Sequence, residues 1–176
     1  MLTKGTSLIN KQIRSTQDGS YIGRVADLII DPANGKLLAL KMRKSSVFKP
    51  KIICTIDIQG YTPIFLIAKD DSVICDADEV VRVKEVLDKK VLIIGNKVET
   101  ESGKKLGICE DILIDTETSM VIKFYVKSAG ILGPLSSDLI IPSSRVVSIN
   151  RDAIVVKENG VKEKVAVAAS TTELAE

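Results

Sequence analysis

Residues 18–31 read DGSYIGRVADLIID, and residues 102–115 read SGKKLGICEDILID. Sliding the chain by 84 positions lays 19–43 on 103–127 without a gap. Gly19 then meets Gly103, Gly23 meets Gly107, Asp27 meets Asp111, Ile30 meets Ile114 and Asp31 meets Asp115. Eight further positions pair apolar with apolar, among them Leu28 with Ile112 and Leu40 with Phe124. Agreement of this density, with glycines and aspartates in register, marks a duplication. The period is too long for a solenoid unit and fits a small domain written twice. A weaker correspondence sets 63–74 against 144–155, with the offset shrinking by about three.

Each copy is patterned for strands. GRVADLIID is followed by DPANGK, whose Asp31, Pro32, Asn34 and Gly35 are turn formers, and then by LLALKMR. Residues 23–43 therefore predict a β-hairpin. The second copy predicts the same hairpin, with Ser119 in place of the glycine and hence a different or longer turn. Short strands without a long helix predict a small closed barrel, since closure removes exposed edges. Between the copies, Asp76 and Glu79 have the spacing of a capping box, and Val80, Val83 and Leu87 share one helical face, which predicts a short linker helix.

The phrase GSYIGRVADLIIDPANGKLLALKM (19–42) and its echo GKKLGICEDILIDTETSMVIKFYV (103–126) resemble the PRC-barrel family. The resemblance covers most of the chain as two tandem copies. It implies an all-β protein of two small PRC-like β-barrels, non-catalytic, serving to dock other proteins. The expected division is a first barrel over 1–75, a helical linker over 76–91, a second barrel over 92–165 and a frayed tail over 166–176. Gly19, Gly23, Asp27, Asp31, Gly103, Gly107, Asp111 and Asp115 form the structural motif. Family members include a photosynthetic reaction-centre subunit with a membrane helix and a ribosome-maturation factor with a different N-terminal domain. This chain matches neither arrangement, so neither specific role carries over.

Composition narrows the chemistry. Apolar residues make up 45% but aromatics only 3%, so the core is built from Ile, Val and Leu. A net charge of +2 sets up no field that selects a charged partner. There is no histidine, which removes the commonest general base and zinc ligand. Cys54, Cys75 and Cys109 have no paired spacing and read as small buried residues in a reducing compartment. No apolar run approaches the ~20 residues of a membrane helix, and the first residues lack a signal-peptide pattern. A cytoplasmic setting without cofactor, metal or membrane insertion is expected.

The motif itself reads as shape. In a strand, Asp27 and Asp31 would lie roughly 13 Å apart, too far to share one proton or ion, and each is expected to accept turn or loop N–H groups. A phosphate loop needs its glycines to open a helix, whereas here a strand follows; Gly19 is read as a turn and Gly23 as a bend or bulge. Contact is assigned to two loops. One is basic, with Lys44, Phe48 and Lys49 inside the run Lys36, Lys41, Arg43, Lys44, Lys49 and Lys51. It is either a solvated face or an RNA-backbone patch with Phe48 stacking. The other is apolar, with Ile131, Leu132 and Leu135 among Gly130, Gly133 and Pro134. It either docks a protein partner or a sister chain, or plugs a barrel end. A protein-docking adaptor is the leading reading, with an RNA- or ribosome-associated factor as the alternative.

Overall fold

The computed structural model describes residues 1–43, 50–128 and 138–158. The chain opens with strand β1 (Leu2–Lys4) and a single helical turn, α1 (Gly5–Leu8). The first copy follows: β2 (Gln12–Ser15), β3 (Tyr21–Ile30), β4 (Leu37–Met42), β5 (Lys51–Cys54), β6 (Ile58–Tyr61), β7 (Phe65–Ala68) and β8 (Ile74–Asp76). Helix α2 (Val81–Lys89) links it to the second copy. That copy runs β9 (Lys97–Thr100), β10 (Lys105–Asp115), β11 (Met120–Ser128), β12 (Leu139–Pro142), β13 (Val146–Ile149) and β14 (Ile154–Val156).

The first sheet has the order β6-β7-β2-β3-β4-β5-β8. The second has β12-β11-β10-β9-β14-β13, with β1 added beside β10. Each curls into a half-barrel, and among the described residues no ladder joins its two ends. The register shows why the copies curl alike. Ile22, Ala26 and Leu38 are each skipped in pairing, and so are Leu106, Glu110 and Ile122, the same three positions 84 residues on. Each β-bulge adds a residue to one strand and sharpens its local twist, so bulges in register reproduce the bend.

Two sequence expectations are corrected. The turn of the second hairpin is the same as that of the first: Ser119 takes a left-handed φ of 58° where Gly35 has 72°. A Cβ in this region costs of the order of 1 kcal/mol, and the tertiary contacts described below hold it. The later strands match at an offset of 88, with Ile52 matching Ile140 and Leu66 matching Ile154. The offset therefore grows by four, because the intervening loop is longer in the second copy, and β7 corresponds to β14.

The copies face each other around a pseudo-twofold axis. The tips of the two long hairpins pair: Leu37 N–H donates to Ser119 O at 2.8 Å and Val121 N–H to Gly35 O at 2.9 Å, with Lys36 bridging Met120. These are equivalent atoms exchanged, as across an isologous dimer interface. The segments ahead of each copy are also exchanged. Strand β1 pairs with β10, Thr3 opposite Ile114, while α2 packs near β3. Buried residues of both copies, including Leu8, Val25, Leu40, Ile112 and Phe124, form one continuous core.

Strands β3, β4 and β5 bury both faces. Leu40 and Ile53 point into the main core, and Ile29, Ala39 and Ile52 meet Val83 and Val86 of α2. This is the helix expected from the valine spacing, with Val80 and Leu87 packed at its margin. The capping box does not form. Val80 is the residue before the helix, no side chain caps it, and Ala77–Glu79 is a separate 3₁₀ turn. Asp76 instead pairs with Lys51 Nζ at 2.9 Å across β5 and β8.

The two motif glycines of the strands differ in what they tolerate. A Cβ on Gly107 (φ 152°) would lie 2.0 Å from the Lys127 carbonyl oxygen, whereas one on Gly23 would meet only the Met42 methyl, the end of a flexible side chain. Gly107→Ala is expected to cost more than about 2 kcal/mol and Gly23→Ala about 1 kcal/mol or less, as read from urea denaturation midpoints.

Candidate functional site

The four motif carboxylates are set by bulge and turn geometry, and their partners differ between copies. Asp27 and Asp111 each follow a bulge, and each accepts the N–H of the next residue at 2.8 Å. Asp111 also receives the Thr6 N–H at 3.0 Å and the Thr6 hydroxyl at 2.6 Å, and it is buried. Asp27 is exposed and has no further hydrogen bond among the described residues. Asp31 and Asp115 begin the hairpin turns and accept the N–H two residues on, from Ala33 at 3.0 Å and Glu117 at 3.2 Å.

Asp31 is 1% exposed, and Arg82 of α2 donates to its Oδ2 from Nε at 2.9 Å and Nη2 at 2.6 Å. Arg82 also reaches Glu85 at 2.8 Å. Burial pushes the Asp31 carboxyl up, but the Ala33 N–H and the Arg82 guanidinium together outweigh it and hold it below its ordinary 3.8. Asp115 is also held low, first by the Glu117 N–H and then by the Thr118 hydroxyl, with the Met1 amine nearby. The motif glycines serve the turns: Gly19 and Gly103 have φ of 69° and 82°. Neither glycine pair opens a helix.

The thiols are poor nucleophiles. Burial pushes Cys109 up to about 12 and Cys54 to about 11, and it also raises Cys75. All three are free. Among the described residues no cluster of Cys, Asp and Glu has the makings of a metal site, and no helix is long and apolar enough to cross a membrane.

Both contact loops named from the sequence, with Lys44, Phe48 and Lys49 in one and Ile131, Leu132 and Leu135 in the other, lie outside the described residues. The tail expected to fray lies there too. Of the surrounding basic run, Lys51 is neutralised by Asp76 and Arg43 donates to Asn10 Oδ1. The structure adds a feature that sequence reading missed. A cleft of about 550 Å³ lies beside β3, lined by Asp27, Leu28 and Ile30 on one side and by Val86, Leu87 and Leu92 on the other. Its lining joins residues some 60 positions apart, and no local pattern announces it.

The fold and its repeated motif define a tandem small-barrel module. The PRC-barrel domain model matches residues 3–82 and again 90–162, and the chain belongs to the PRC-barrel family. The domain is in general non-enzymatic and often mediates protein interactions. Comparison with curated proteins returns no match.

The Arg82–Asp31 pair makes a pH prediction. A carboxyl depressed in the folded chain stabilises it above the unfolded value, and that contribution is lost as pH falls through the folded value. Arg82→Ala should lower stability at pH 7, because it leaves the buried Asp31 carboxylate without its guanidinium partner. The difference from wild type should shrink below about pH 4, measured as urea midpoints from pH 3 to 7. A difference independent of pH would refute the role given to Asp31.

Proposed function

We propose that this protein is a non-catalytic adaptor that docks a protein partner through surfaces mounted on a two-barrel frame. The observation that carries this reading is where the repeated motif uses its polar groups. Asp31, Asp111 and Asp115 are committed to holding turns and arms together, the thiols stay protonated, and of the four motif carboxylates Asp27 is the exposed one. The exposed side chains include Ile56, Ile64, Val81 and Leu92, which suit contact with another macromolecule. The two divergent loops, basic at Lys44–Lys49 and apolar at Ile131–Leu135, supply the specificity, since function carried on loops over a duplicated scaffold leaves the scaffold alike and the loops different. Three free thiols accord with a reducing, cytoplasmic setting.

The test is affinity capture from native lysate at low and high salt, with wild type, Ile131→Asp/Leu132→Asp and Lys44→Glu/Lys49→Glu. The expected result is a defined protein partner, retained at high salt and lost with the apolar-loop variant. Capture of RNA or ribosomal particles that vanishes at high salt and requires Lys44 and Lys49 would replace the adaptor with the nucleic-acid reading.

A further inference from the structure

We infer that the cleft beside β3 binds an extended peptide of a partner protein, one carrying an acidic residue two positions before a serine or threonine. This names a docking site for the adaptor reading and rests on it.

The second copy shows what this position on the scaffold accepts. There, strand β1 lies along β10 with Leu2, Thr3 and Lys4 opposite Asp115, Ile114 and Leu113. Thr6 then donates both N–H and hydroxyl to Asp111, and Lys4 Nζ sits 5.1 Å from the Tyr125 ring centre. Asp111 and Tyr125 are cross-strand partners, as are Asp27 and Lys41 in the first copy.

In the first copy the matching arm does not fill the place. The arms align at an offset of 85, because Asn10 N–H donating to Val25 O is matched by Gly95 N–H donating to Cys109 O. Val91 is thus the residue that aligns with Thr6; it has no hydroxyl, lines the wall of the cleft, and makes no hydrogen bond to Asp27 among the described residues. The matching residues ahead of it are helical in α2 and cannot pair as a strand. The ladder of β2 on β3 ends at Arg24, so from Asp27 to Ile30 the strand is paired by β4 alone. What remains is an apolar cleft with one carboxylate lacking the two donors that its counterpart receives.

The change from Tyr125 to Lys41 sets the charge of the occupant. The residue that takes the place of Lys4 meets an ammonium group instead of a ring face, so an acidic side chain is favoured there and a basic one repelled. The same charge disfavours the chain's own arm, with its Lys4, at this place. Asp31, the counterpart of the Asp115 that faces the Met1 amine, is already neutralised by Arg82, so the occupant needs no free amino terminus.

The experiment titrates the intact, ¹⁵N-labelled chain with an acetylated, amidated peptide of residues 1–8 carrying Lys4→Glu. Saturable shifts at residues 27–30 and 86–94 are expected, several-fold tighter than with the unaltered peptide. Asp27→Ala should weaken binding at least about tenfold; this side chain is exposed and, among the described residues, bonds only its neighbour's N–H, and an unchanged melting temperature verifies the fold. Shifts confined to residues 111–115, binding that survives Asp27→Ala, or no saturation by millimolar peptide would each overturn the inference. A failed titration with a partner still captured through the apolar loop removes this site and leaves the adaptor standing; loss of capture removes the adaptor itself.

Discussion

Two hydrogen bonds between hairpin tips, from Leu37 to Ser119 and from Val121 to Gly35, hold the frame on which the rest depends. Each tip supplies the same donor and the same acceptor, so satisfying one contact satisfies its mate. The left-handed residues at 35 and 119 turn the backbone so that these groups project beyond their own ladders. With the tips joined, the two half-barrels share one apolar interior, and each copy's leading segment falls beside the other copy's longest strand. A tip that could not adopt φ > 0 would break the symmetry before any core residue was touched.

The bulges do a second job besides curling the sheets. Placed just ahead of Asp27 and Asp111, they re-aim a carboxylate toward the sheet edge, where an incoming segment meets it. In one copy that segment is the chain's own arm, giving a charge-assisted pair of hydrogen bonds of the kind that contributes about 1.5–3 kcal/mol. In the other copy the carboxylate faces a cleft. Duplication thus let one site become structural while its twin stayed open, and what separates them is a handful of residues: Thr6 against Val91, Tyr125 against Lys41, a strand against a helix.

Much of this was legible in the sequence, because period-two apolar patterning and turn residues act locally. The repeat, both hairpins and the linker helix all follow from spacings of a few residues. What was not legible is governed by tertiary contact. Nothing in DTETSM announces that Ser119 accepts a glycine's conformation; the opposing tip compensates for it. Asp76 and Glu79 had the spacing of a cap, but Lys51 on a neighbouring strand claimed Asp76. The drift of the offset to 88 was hidden because short Val- and Ile-rich strands resemble one another at several alignments. The reach of Thr6 to Asp111 spans 105 residues and leaves no trace in either segment alone.

The crossing of the arms also sets a clock on the chain's own synthesis. The arm's apolar Leu2 and Leu8 leave the ribosome well before β10, the strand against which they fold, has been made. At translation rates of about 5–20 residues per second, the arm waits for on the order of 5–20 s. During that interval the first copy can close its local hairpins, but its leading segment has no native partner and is open to capture by chaperones or by a neighbouring nascent chain. The wait is built into the order in which the residues appear, because the arm heads the chain and the strand it pairs with belongs to the second copy.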